Sequence, residues 1–243
     1  MNVWGITDTG LVRKENQDAY AIRRMGETTV CVVCDGMGGT KGGQLASSTA
    51  VETYLEELEK VLRPGMEPQQ LREASSYAIA LANEVVRAKA QASEEYQNMG
   101  TTLVAAISYH GGVVVSNVGD SRAYHITFDG ISRITKDHSL VENMVERGDI
   151  TEEEARRHPN KNLITRALGP DETVVCDGFL CPLESGDYVL LCSDGLVDTV
   201  TDQEMLFEVI HGGDPETCLA RLLAIAKAHG APDNVTVVLM RNN

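Results

Sequence analysis

The sequence predicts an α+β protein: a central antiparallel β-sandwich flanked by helix pairs, four layers in the order αββα. Three observations lead there. Strand-like runs are joined by short turns such as His110-Gly111 and Asp129-Gly130, the connections of antiparallel hairpins. Helix-like stretches come in consecutive pairs instead of alternating with strands, which argues against a doubly wound sheet. Roughly ten strands exceed the usual single small sheet, so two stacked sheets are expected.

Along the chain, β-branched and alternating apolar residues predict strands at Val3–Ile6, Ala19–Arg23 and Thr28–Cys34. From Gly43 to Leu62 the pattern becomes helical, with Ala46, Ala50, Tyr54 and Leu58 recurring every fourth residue until Pro64-Gly65. Pro68 opens a second helix, whose inner face carries Leu71, Ser75, Ala78, Ala82 and Val85 and runs to about Ser93. Strands return at Thr101–Tyr109, Gly112–Val118, Ala123–Thr127 and Ile131–Ile134. Ser139–Arg147 and Thr151–Arg157 read as short polar helices, the second opened by a Thr151/Glu154 capping box. Strands at Val174–Leu180 and Asp187–Cys192, helices at Thr201–Ile210 and Pro215–Ala228, and a strand at Asn234–Met240 complete the chain. No repeat or low-complexity linker divides it, so residues 1–243 are expected to form a single domain.

Composition narrows the function. The formal net charge is −15, which disfavours nucleic acid and anionic membrane surfaces as partners. No segment approaches the ~18 uninterrupted apolar residues of a membrane helix. The N-terminus has neither the basic nor the apolar region of a signal peptide, so a cytoplasmic location is expected, without membrane insertion. No dimerisation element is evident, so a monomer is expected. Cys31 and Cys34 form a CxxC inside an apolar run, but residues three apart on a strand face opposite ways, so both are expected to be buried hydrophobes. The other four cysteines are read the same way. The glycine-rich stretch Gly36–Gly43 fits neither a Walker loop nor the GxGxxG dinucleotide pattern, since Gly42 follows Lys41 and position 41 is not glycine. These glycines are expected to let the backbone approach a metal and offer a carbonyl.

The aspartates carry the chemistry. Asp35, Asp120, Asp194 and Asp233 each lie at a strand boundary, and Asp18 begins a strand. Any one of them could simply cap a turn. Four at the same kind of boundary suggest one carboxylate cluster, which stays ionised only if a cation joins it. All-oxygen ligation favours Mg²⁺ or Mn²⁺ over zinc. Arg13 is placed to grip a phosphate beside such a cluster.

Val33-Cys34-Asp35-Gly36-Met37-Gly38-Gly39, Arg13-x-x-Asn16-Gln17-Asp18, Gly100-Thr101-Thr102, Asn117-Val118-Gly119-Asp120-Ser121-Arg122, Ser193-Asp194-Gly195-Leu196 and Asp233-Asn234 resemble the motifs of the metal-dependent serine/threonine protein phosphatases of type 2C, in their compact bacterial form. The resemblance runs from Gly5 to Val238. It implies two Mn²⁺ or Mg²⁺ ions sharing a bridging hydroxide that attacks phosphoserine or phosphothreonine directly. It implies that Asp35 bridges the metals, that the Gly36 carbonyl binds the first, and that Asp194 and Asp233 bind the second. Asp120 with Asp194 would hold a weaker third ion, Arg13 would clamp phosphate, and Asp18 would hydrogen-bond metal-bound water. The implied partners are phosphorylated proteins, including a Ser/Thr protein kinase. Residues 139–169 would form a flap beside the site. Met37 and Thr40 stand where relatives carry a histidine, which leaves the general acid unassigned; His138 is expected to be structural. A phosphatase of another phosphoester and a non-catalytic phosphoprotein binder are the competing readings.

Overall fold

The computed structural model describes residues 1–243 apart from the side chain of Thr40. Two antiparallel sheets pack face to face. The first comprises β1 (Asn2–Asp8), β7 (Arg122–Thr127), β8 (Gly130–Arg133), β10 (Tyr188–Cys192) and β11 (Val235–Arg241), in the order β1-β11-β10-β7-β8. The second comprises β2 (Asp18–Met25), β3 (Thr28–Met37), β5 (Leu103–Tyr109), β6 (Gly112–Val118) and β9 (Asp177–Pro182), in the order β2-β3-β5-β6-β9. The short β4 (Gly100–Thr101) pairs with the end of β3.

Three apolar layers hold these sheets. Helices α1 (Gly39–Val61) and α2 (Pro68–Gln91) cover the outer face of the second sheet through Tyr54, Leu58, Ile79, Val32 and Cys34. Helices α6 (Asp202–His211) and α7 (Pro215–Ala228) cover the first through Met205, Leu222, Leu190 and Val237. Cys31, Val33, Val189, Leu191, Val238 and Met240 fill the space between the sheets. The arrangement is αββα. Cys31 and Cys34 indeed face opposite layers, as strand parity requires. A buried hydroxyl relay, Tyr54–Ser75–Ser116, with both contacts at 2.8 Å, ties α1 through α2 to β6.

Several boundaries differ from the sequence expectation. Helix α1 begins at Gly39, four residues before the expected Gly43. A Cβ on Gly36 would lie 2.0 Å from the Gly43 carbonyl oxygen, and one on Gly43 would lie 2.6 Å from the Gly36 carbonyl oxygen. Part of the glycine run therefore serves close packing of the first helical turns on β3. The inner face of α2 carries Val86, not Val85, because the helical period continues from Ala82 by four residues. The strand expected over Thr101–Tyr109 is interrupted at Thr102, whose N–H and hydroxyl bond the backbone of Asp35. β9 starts at Asp177 and not Val174, since its pairing with β6 ends at Asn117–Asp177 and the Asn83 amide holds the carbonyls of Asp171 and Glu172 in the preceding loop. Cys176 is only half-buried, beside the Ser76 hydroxyl. A 3₁₀ turn at Glu94–Tyr96 and a one-turn helix α5 (Asp194–Val197) carry no signal that sequence reading caught.

The segment 139–169 contains α3 (Leu140–Glu146) and α4 (Glu152–Arg157), neither of which buries a side chain fully. The expected Thr151/Glu154 capping box is present. One isolated bridge, Ser139–Ile164, closes the segment on itself, and another, Thr101–Leu168, ties its C-terminal end to β4.

Candidate active site

Strand parity decides which residues reach the site. Val30, Val32 and Cys34 of β3 face the helices, whereas Cys31 and Val33 face the opposite sheet, so Asp35 points between the sheets. Asp18 is its direct cross-strand partner on β2 and shares that face. On the first sheet, Leu191 and Val238 face inward, so Ser193 and Thr236, two residues on along the same parity, do too. Both hydroxyls donate to Asp18 Oδ2, each at 2.7 Å. This pair of bonds fastens the sheets together at the end of the sandwich where the apolar filling stops.

The remaining acids arrive from the turns at this end. Asp120 follows β6 in the turn formed by Gly119, which has φ +105° and would bring a Cβ within 2.6 Å of the Thr102 side chain. Asp194 opens α5 directly after β10, and Asp233 precedes β11. Asp35 lies within hydrogen-bonding reach of Asp194. Asp35, Gly36, Asp120, Asp194, Asp233 and Arg13 line one open cleft of about 530 Å³. Asp18 lies beneath it, buried.

The motif residues that are not candidate ligands hold this geometry. Thr101 and Thr102 bond the backbone of Asp35, and Thr102 Oγ1 also contacts Ser121 Oγ at 2.7 Å. Asn117 Nδ2 donates to the Gly119 and Lys136 carbonyls. Asn234 accepts from the Gln17 N–H and donates to the Thr9 and Glu15 carbonyls, anchoring the loop that carries Arg13 to the turn that carries Asp233. Asn16 bonds Thr7 and the Asp18 N–H.

Electrostatics at the cluster favours a cation. Burial pushes the Asp18 carboxyl up to about 7 against its two hydroxyl bonds, and the charges of Asp194 and Asp233 add to the rise. Burial, then the charges of Asp233 and Asp198, raise Asp194 to about 6. Asp35 and Asp120 lie well above the usual carboxylate range, through burial first and neighbouring carboxylates second. One oxygen of Asp18 and one of Asp194 are buried without a hydrogen-bond partner. Orphaned anionic oxygens of this kind are costly unless a cation meets them.

Among the described residues, no three His, Cys, Asp or Glu side chains close on a single point as a complete ligand set. An ion here would be held by a few carboxylate oxygens, a backbone carbonyl and water together, the pattern of Mg²⁺ or Mn²⁺ and not of a closed zinc site. The donor set fits that class of ion.

Arg13 donates to Asp233 Oδ2 at 2.7 Å and is more than half exposed at the cleft rim. Only its Nη2 is engaged there, and the other guanidinium nitrogens make no hydrogen bond among the described residues. His138 sits elsewhere. Its Nδ1 accepts from the Gly119 N–H at 3.0 Å, which leaves Nε2 as a donor to Asp177 Oδ2 at 3.2 Å. It braces the turn bearing Asp120, the structural role expected of it. Met37 lines the cleft, Thr40 lies outside the described side chains, and no histidine lines the cleft among the described residues.

Sequence reading missed Ser193 and Thr236 as the partners of Asp18; only the strand pairing reveals them. It also missed the Lys161–Asp198 ion pair at 2.6 Å, which joins the 139–169 segment to α5.

Known proteins resemble this chain in sequence and fold. Residues 12–216 match the family model described as protein phosphatase 2C. The chain is 35% identical to the serine/threonine phosphatase stp of Listeria innocua over 239 residues, covering 98% of this chain and 94% of that protein. The crystal structure of a bacterial serine phosphatase superposes with a TM-score of 0.94 at 38% identity, covering all of this chain and 98% of that one. The serine/threonine phosphatase Stp1 from Staphylococcus aureus gives 0.90 at 37% identity, with 99% and 94% covered.

Proposed function

Because this chain belongs to the protein phosphatase 2C family, we propose that it hydrolyses phosphoserine and phosphothreonine in proteins, using Mn²⁺ or Mg²⁺ held by the carboxylate cluster. The observation that carries this reading is the convergence of Asp35 and Asp120 from one sheet with Asp194 and Asp233 from the other on a cleft rimmed by Arg13.

In this reading Asp35, the Gly36 carbonyl, Asp194 and Asp233 would hold two ions, and Asp120 with Asp194 would hold a weaker third. The ions supply charge neutralisation of the phosphoryl group and an activated water nucleophile at neutral pH. Asp18, fixed by Ser193 and Thr236, keeps its second oxygen free to accept a hydrogen bond from water in the cleft. Arg13 binds two phosphate oxygens in a forked geometry.

The net charge of −15 is compatible with an anionic substrate because the cations and Arg13 reverse the local field at the cleft. Residues 1–243 act as one catalytic domain, with the 139–169 segment as a flap beside the site. Among the described residues, no helix is long and apolar enough to cross a membrane. The protein works in the cytoplasm as a monomer and opposes a Ser/Thr protein kinase.

The test is phosphate release from a phosphothreonine peptide. Turnover is expected with Mn²⁺ or Mg²⁺ and lost in EDTA, with recovery on adding the metal back. Turnover that persists in EDTA would rule out the metal-dependent reading.

A further inference from the structure

The cleft is larger than a phosphate group requires, and its walls differ from its floor. Above the carboxylates, Val12 and Ile164 line it from two separate segments, together with Met37. Val12 is 68% exposed, its neighbour Leu11 is 60% exposed, and Leu163 beside Ile164 is 54% exposed. A lone exposed aliphatic residue needs no explanation. Here Val12 and Ile164 reach the same cleft from two different loops, and Met37 lines it with them.

Both segments are pinned. The Leu11 N–H bonds the Ala231 carbonyl, and Asn234 fastens the rest of that loop. Ile164 pairs with Ser139, and the Thr165 N–H bonds the His138 carbonyl. Little ordering entropy is therefore lost when a ligand settles between them. Asn162 lines the same cleft, is exposed, and makes no hydrogen bond among the described residues. Its amide offers one donor group and one acceptor to an extended peptide backbone.

We propose that the gap between Val12 and Ile164 receives an aliphatic side chain adjacent to the phosphorylated residue of the substrate, while Asn162 bonds the substrate backbone. This rests on the phosphatase reading above and adds to it a preference for phosphosites with apolar neighbours. The competing occupant is an acidic neighbour drawn to Arg13 and Lys14.

Two peptides separate these cases. Each carries a non-hydrolysable phosphonate in place of phosphothreonine, flanked on both sides by Leu in one and by Asp in the other. Their Kd values for the Mn²⁺-loaded protein are read by fluorescence anisotropy. The Leu-flanked peptide is expected to bind about tenfold tighter, equivalent to about 1.4 kcal/mol. The ratio is expected to fall below about threefold in Val12→Ser and in the Val12→Ser/Ile164→Ser double variant, as the apolar contact is removed. Asn162→Ala is expected to weaken both peptides equally. Equal affinities, tighter binding of the Asp-flanked peptide, or an unchanged ratio in the variants would overturn the proposal. Because Kd is read without turnover, these outcomes stand apart from the phosphatase reading, which fails if the wild type releases no phosphate from either hydrolysable peptide.

Discussion

Asp194→Ala is expected to abolish phosphate release while the fold survives. Asp194 supplies no apolar contact to the core, and its Oδ1 is buried without a partner. What holds the segment is backbone: the Ser193 N–H bonds the Thr236 carbonyl and the Asp198 N–H bonds the Asp194 carbonyl. Removing the carboxylate also relieves repulsion with Asp233 and Asp35. The chemical loss is severe, because Asp194 is proposed to serve the second ion and to share the third. Losing one preorganised group that stabilises the reacting charge costs on the order of 10²–10³-fold in kcat, and losing an ion costs more. Asp35→Ala is expected to behave alike. Phosphate release gives the rate, and far-UV circular dichroism with a thermal melt gives the fold. If both variants unfold, these are structural residues and the ligand assignment fails.

Metal-stripped protein is expected to lose stability as pH rises from about 5 to about 7. The sign follows from proton counting. Asp18 titrates near 7 when folded, against an ordinary aspartate value of 3.8, and Asp35 and Asp120 lie well above 3.8. In this window the folded chain holds protons that the unfolded chain has already released, so stability falls with rising pH. The slope is on the order of 1–3 kcal/mol per pH unit while the folded chain holds one to two more protons than the unfolded chain. For a chain of this size that is a drop in Tm on the order of 5 °C. Below about pH 6.5, His138 works the other way: its pKa is lowered by burial, so charging it costs stability and blunts the trend. The acids with lowered pKa, Asp8 and Asp177, contribute stability that is lost only nearer pH 4. Asp35→Asn is expected to flatten the slope and raise the metal-free Tm at about pH 8, because a neutral amide replaces a repelled carboxylate. Saturating Mn²⁺ is expected to flatten it in the wild type. Thermal melts in EDTA across this range, with a parallel series in Mn²⁺, check all three, and a Tm that rises with pH in EDTA would contradict the proton count.

Much of the fold is legible in the sequence, for identifiable reasons. β6 and α7 match their expected bounds because each starts at strong local punctuation: the His110-Gly111 turn before β6, and Pro215 at the first turn of α7. The sandwich follows from hairpin turns and paired helices, both local signals. The errors fall where a tertiary contact overrides local preference. Gly39–Gly42 read as loop because glycine is a poor helix former, yet the close approach of Gly36 and Gly43 sets the helix start there. Val174–Cys176 have strand composition but no strand beside them to pair with.

The site divides in the same way. Its aspartates stand out because each lies at the end or the start of an apolar strand, so Asp35, Asp120, Asp194 and Asp233 can be named as candidates from the sequence alone. Ser193 and Thr236 cannot, since a hydroxyl at a strand end carries no signal until register puts it opposite Asp18. Nor can the pairing of Arg13 with Asp233, which are 220 residues apart.

The central claim is that these carboxylates form one cation site. Titrating Mn²⁺ into stripped protein by isothermal calorimetry tests it most directly. Two ions are expected to bind per chain, with a weaker third at higher concentration and loss of the tight sites in Asp35→Asn. An absence of binding in the wild type, or a stoichiometry and affinity unchanged by Asp35→Asn, would contradict it.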